Sequence, residues 1–172
     1  MVTSHTNPRR VEVYRFGLLA SLLLPLIALF LQAFTPLRLH FLPIFDLPFL
    51  VVVYFAVVRR SQIAGLMTGA VVGLLQDSLT SKPIGLYGIA NTIVGYGASS
   101  LGAKVNVENA GSRFLVIYGF YLLHEAIYFL VARFLVLETL SWSWQHELLS
   151  ALANALLAVP AFAIMDRFKH PA

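Results

Sequence analysis

The chain has 172 residues, no cysteine, 59% hydrophobic residues and only 12% charged ones, where a soluble domain carries about a quarter charged. That balance cannot build a water-facing surface, and so much Leu, Val, Ile and Phe excludes disorder, so most of the surface is expected to face lipid. The net charge of +4 does not point to nucleic acid, because the basic residues fall in small groups between apolar runs, which is the arrangement that sets membrane topology.

A transmembrane helix needs about 20 mostly apolar residues, and six runs are predicted as spans: 16–35, 41–58, 62–79, 84–103, 112–136 and 148–166. The first follows Arg9, Arg10 and Arg15 like a signal peptide, but its apolar core exceeds the roughly 7–15 residues of a signal segment. It is read as a helix with a kink at Pro25. The second is the weakest, because Pro43, Asp46 and Pro48 crowd its start; Asp46 is expected to cap the regular part. Charge decides whether it crosses. With six crossings and a cytoplasmic N-terminus, nine basic residues lie inside (Arg9, Arg10, Arg15, Arg59, Arg60, Lys104, Arg113, Arg167, Lys169) and three outside (Arg38, Lys82, Arg133). Removing the second span spoils this positive-inside bias. The expected fold is thus one all-α membrane domain over 1–172, with both termini in the cytoplasm. The longest outer loop, 137–147, carries Trp142 and Trp144 as an interfacial belt or a short surface helix.

Spans three and four carry small residues in rows. Gly65, Gly69 and Gly73 recur every four residues and Asp77 continues the row. Gly85, Gly88, Thr92, Gly95, Ser99 and Gly102 follow a period near 3.5. Such rows let helix backbones approach closely in lipid. With the short turn at Thr80–Pro83 they predict a tight hairpin, in which Pro83, Gly85, Leu86, Gly88 and Gly95 serve packing. Mutual packing inside the monomer competes with docking of a partner helix, and Gly65, Gly69 and Gly73 are the expected spare row. Asp77 has three candidate roles: an ion pair with Lys82, acceptance of backbone N–H groups at the turn, or a partner contact. On span five, Tyr121, His124, Glu125 and Tyr128 share one side of the helix. Glu125 is costly in lipid unless paired, and Asn91 and Asn154 are its candidate partners. An internal hydrogen-bonded cluster competes with a transport or proton-relay site.

Catalytic signatures are lacking in the sequence. "HEAIY" (124–128) and "HELLS" (146–150) begin like the zinc-protease helix but have Tyr128 and Ser150 where the second histidine must stand. No phosphate loop, nucleophile elbow or sequence cluster of acids with metal spacing occurs. The expectation is a non-enzyme without cofactor or metal.

"FDLPFLVVVYFAV" followed by "GLLQDSLTSKPIGLYGI" resembles the MreD family of bacterial rod shape-determining membrane proteins, over roughly residues 15–168. Asp46, Pro48, Gly73, Asp77, Gly85 and Leu86 are the matching positions, and "VNVENAGSRF" is also similar. The resemblance implies a subunit of the cell-elongation machinery in the bacterial inner membrane. Its implied partner is the transmembrane helix of MreC, with RodA, a class B penicillin-binding protein and MreB as indirect partners. A homodimer is compatible with it, and nucleic acid is not a partner. The family also looks similar in fold to the six-helix S components of energy-coupling-factor transporters. That likeness supplies the alternative, a substrate-binding component of a vitamin-type uptake transporter. The two differ in what they need: a docking groove for the first, an enclosed polar pocket for the second.

Overall fold

Local signals set the helix ends. In the computed structural model, which describes residues 14–34, 44–105, 107, 109–137 and 142–171, Asp46 caps α2 (Leu47–Arg59) by accepting the Phe49 N–H at 3.0 Å, with Pro48 in the first turn. The helix stops where Arg60 turns left-handed at φ 55°. One residue later the Ser61 side chain caps α3 (Gln62–Leu79). The turn at Thr80–Gly85 leads into α4 (Leu86–Gly102). α1 (Leu18–Phe34) precedes this group with Pro25 inside it, and α5 (Ala110–Phe134) and α6 (Trp144–Met165) follow it. Of the expected helices, α2 departs most from its bounds, beginning at Leu47 rather than at 41, and α6 begins at Trp144 rather than at 148. Trp144–Glu147 form the first turn of α6, so the 137–147 segment from Trp144 onward is part of the long helix and not a separate surface one. Arg38, Pro43 and the middle of that loop lie outside the described residues.

The α3–α4 hairpin is the tightest pair, and α5 pairs with α6. Between them runs α2, in which every residue from Pro48 to Val57 is buried. A helix apolar all round belongs in a core, and here Phe49 meets Tyr121 edge-on at 5.6 Å and Tyr54 meets Phe162 at 5.0 Å. At one end of the bundle, opposite the hairpin turn, the Arg113 guanidinium pairs with the Asp166 carboxylate, which also accepts the Tyr54 hydroxyl at 3.0 Å. At that same end two three-residue strands, β1 (Tyr14–Phe16) and β2 (Lys169–Pro171), pair antiparallel with Tyr14 opposite Pro171.

The distribution of polarity is inverted relative to a water-soluble fold. Leu19, Leu22, Phe30, Ile63, Leu115, Phe134, Leu149 and Leu156 point outward, while Asp46, Gln76, Asp77, Asn91, His124 and Asn154 are buried. An apolar shell of this extent on a soluble monomer would aggregate; in lipid it is the surface required. Among the described residues two helices, α5 and the 25-residue stretch Trp144–Phe168, are long and apolar enough to cross a bilayer. α2 is too short by itself: 13 residues rise about 20 Å at 1.5 Å each.

Candidate functional site

The hairpin fixes the site's floor. Asp77, fully buried, accepts three backbone N–H groups: Gly85 at 2.8 Å and Gly88 at 3.1 Å on Oδ2, Tyr87 at 2.9 Å on Oδ1. These donors belong to the first turn of α4, which has no side-chain cap of its own. The carboxylate therefore replaces the missing cap and meets the positive end of the helix dipole. Gly85 sits at φ 110°, a conformation that favours glycine. The Lys82 backbone N–H also donates to the Asp77 carbonyl at 3.1 Å. Of the three roles open in the sequence, acceptance of backbone donors is the one the geometry displays.

The glycine rows face one another. A Cβ on Gly69 would fall on the Asn91 carbonyl oxygen and within 2.6 Å of its carbon, one on Gly73 would strike the Tyr87 carbonyl, and one on Gly65 that of Gly95. The α3 row is consumed by α4 and offers no open face, which corrects the expectation that Gly65, Gly69 and Gly73 form a spare docking row. A single close crossing needs both rows, because two carbonyl-lined backbones can approach only if neither helix carries a Cβ between them. Gly95 meets the Gly65 backbone in return, Gly88 lies against Leu74 and Asp77, and Gly102 lies against the Val57 backbone of α2. α4 thus packs closely on two sides. Leu86 is buried, whereas Pro83 is exposed in the turn.

Above this floor a polar chain crosses the bundle interior. The Asn91 amide donates to Gln76 Oε1 at 3.1 Å, and Gln76 Nε2 donates to Asp46 Oδ1 at 3.1 Å. The Asp46 backbone N–H donates to Asn154 Oδ1 at 2.9 Å, and Asn154 Nδ2 donates to the carbonyls of Ile44 at 2.8 Å and Ser150 at 2.9 Å. Four helices, α2, α3, α4 and α6, are joined through these groups. On α5, His124 Nδ1 lies 3.2 Å from Glu125 Oε1, and its ring stacks near Tyr87 and packs on Phe49. Glu125 therefore pairs with its sequence neighbour and not with Asn91 or Asn154, the partners expected for it. Both asparagines are engaged elsewhere. Gln76 is the member the sequence reading missed. A glutamine inside an apolar span, one residue before a notable aspartate, carries the same desolvation cost that singled out the others.

Chemically the arrangement is an integrating network. Every amide in it donates to an acceptor on another element or on the preceding turn, as buried polar groups must. Asp46 serves two elements at once, since one oxygen caps α2 while also receiving Gln76 of α3.

A family model described as rod shape-determining protein MreD matches residues 12–168. The chain belongs to the MreD family. MreD is a membrane protein family that determines rod shape, not an enzyme family, and the apolar outer shell and long apolar helices suit a membrane member of it. No curated protein and no solved structure matches this MreD-family chain.

Proposed function

We propose that this chain is a non-enzymatic, multi-pass subunit of the cell-elongation machinery in the bacterial inner membrane, and that it binds the transmembrane helix of MreC and so helps regulate peptidoglycan synthesis. The observation that carries the reading is the family match over nearly the whole chain. We further propose six crossings with both termini cytoplasmic, in a bundle similar to the S components of energy-coupling-factor transporters. The pairing of the two chain ends supports an even number of crossings, because β1 and β2 must lie on one side. The nine-to-three division of basic residues sets which side. RodA, a class B penicillin-binding protein and MreB are then reached through MreC.

With the α3 row closed, we place the MreC helix on the outward face of α5. Gly111 and Gly119 have nothing within 4 Å of a built Cβ, and Leu115 between them is 69% exposed. In lipid, helices associate through close backbone packing rather than hydrophobic drive, and Gly119 offers it midway along a long apolar helix. The test is co-purification of tagged MreC with this chain from membranes. Gly119→Phe should abolish it while leaving the isolated chain folded. Failure of the unmodified chain to bring down MreC would sink the partnership, and unchanged recovery with Gly119→Phe would sink the α5 face.

A further inference from the structure

We infer that Asp46, His124 and Glu125 form a binding site for one divalent transition-metal cation of the zinc or manganese class. The three come from distant parts of the chain. Asp46 stands at the N-cap of α2, and His124 and Glu125 sit within α5. One ligand atom from each lies within 4.8 Å of the others. No spacing rule applied to the sequence could see this set, since the acid and the histidine are brought together only by the packing of α5 on α2.

Charge is the first argument. Asp46 is 6% exposed and the Glu125 side chain 20%. Among the described residues Glu125 pairs with His124, while the Arg113 guanidinium is committed to Asp166 at the far end of the bundle. Two carboxylates in a lipid-embedded interior carry a heavy desolvation cost unless a counter-charge joins them. A dication balances both.

The second argument is the histidine. His124 is 0% exposed, and with Nδ1 turned to Glu125 its Nε2 has no hydrogen-bond partner. A neutral imidazole keeps one ring nitrogen as a lone-pair donor, the form in which histidine ligates metals. The tautomer decides which nitrogen carries the proton: with the proton on Nε2, His124 Nδ1 and Glu125 Oε1 both turn lone pairs toward the shared position. The Asn91 Oδ1 atom is likewise buried and unpartnered, two hydrogen bonds from Asp46 through Gln76.

Geometry and donor type then choose the ion. The 3.2 Å between His124 Nδ1 and Glu125 Oε1 is close to the edge of a tetrahedron, ~3.3–3.4 Å for bonds of about 2.0–2.1 Å. Asp46 offers the third donor oxygen, within 4.8 Å of the other two ligand atoms. One imidazole and two carboxylates suit zinc or manganese, whereas magnesium and calcium favour oxygen-only shells. Glu125, the least buried of the three, marks the side from which an ion arrives. Bound there, the cation ties α2 to α5, a pair joined otherwise by apolar and aromatic contact.

The test uses the tag-free full chain in lipid nanodiscs, stripped with EDTA and titrated with zinc, manganese or magnesium chloride. One equivalent of zinc or manganese should bind, with magnesium weaker. Asp46→Asn and Glu125→Gln should each weaken binding at least about tenfold, since even the loss of a group that only orients a ligand costs 10–100-fold. His146→Gln, at an exposed histidine on the first turn of α6, should leave it unchanged. A cobalt titration of the unmodified chain keeps the test independent of variant folding: a visible band saturating at one equivalent is expected. Absence of that band, binding retained in both carboxylate variants, or binding lost in His146→Gln would each overturn the assignment. So would a Glu125→Gln chain as stable as the unmodified one with no ion bound in either, which would mean that a protonated carboxyl occupies the site.

Discussion

Replacing Asp77 by leucine or asparagine separates two ways in which a carboxylate could hold the α3–α4 hairpin. Three backbone donors end on this one side chain, from Gly85, Tyr87 and Gly88. Leucine accepts none, and each buried N–H left unpaired costs about 1–3 kcal/mol. At the low end of that range three donors lose ~3 kcal/mol, the expected minimum for Asp77→Leu. Asparagine behaves differently because its single carbonyl can take the place of Oδ2 and keep both Gly85 and Gly88. Its amide then faces the Tyr87 N–H, so one donor is lost, together with ~0.3–1 kcal/mol of charge–dipole attraction at the start of α4. Asp77→Asn should therefore cost ~1–2 kcal/mol. At ~2–4 °C per kcal/mol for a chain of this size, asparagine lowers the thermal midpoint by a few degrees and leucine by at least ~6 °C. The assay is thermal unfolding in detergent followed by circular dichroism and by retention of a single gel-filtration peak. A leucine variant that melts with the parent refutes the cap. An asparagine variant as damaged as leucine refutes the donor count and leaves net charge as the cause.

Gly69→Ala should lower stability by ~1–3 kcal/mol, as overpacking does, because its Cβ would strike the Asn91 carbonyl and the Thr92 Cα, both backbone that cannot step aside; Gly119→Ala, on an open face, should stay within ~0.5 kcal/mol. The same thermal melts check both, and equal losses would contradict the placement of the two glycines. Because the chain has no native cysteine, single cysteines at 81, 61 and 104 report topology directly with an impermeant maleimide on whole cells. Position 81 should label from outside, and 61 and 104 only after permeabilisation; outside labelling at 61 would end the six-crossing scheme.

Much of the hairpin was legible in the sequence because its information is local. Glycines at helical spacing, a proline-bearing turn and an acid at the end of the row can be read from a single stretch. Asp46 was legible for the same reason, as an N-cap two residues before Pro48. What escaped was long-range bookkeeping. Two rows of small residues suggested one more surface than a single crossing needs, yet the crossing uses both, as the carbonyl contacts of Gly65, Gly69 and Gly73 show. Glu125 was matched by depth to Asn91 and Asn154, whereas Asn154 is spent on the backbone that enters α2, at Ile44 and Asp46. Asp46 and His124 lie far apart in sequence, so their meeting depends on how α5 lies across α2. Arg113 was counted only as a topology charge, although Asp166 at the close of α6 receives it.

The total enclosure of α2 has a consequence for biogenesis. A helix that presents no residue from Pro48 to Val57 to its surroundings can reach its final neighbours only after later helices have been synthesised. As it leaves the ribosome it must rest in lipid or against the insertion machinery, with Asp46 uncompensated. The contacts that settle it arrive in order: Gln76 with α3, Asn91 behind it on α4, His124 on α5, and last Asn154, which takes the Asp46 N–H and the Ile44 carbonyl. Completion of the polar chain thus coincides with arrival of the final helix. A nascent chain stopped short of α6 carries an open acid-capped helix inside the bilayer, a defect that membrane quality control is equipped to recognise.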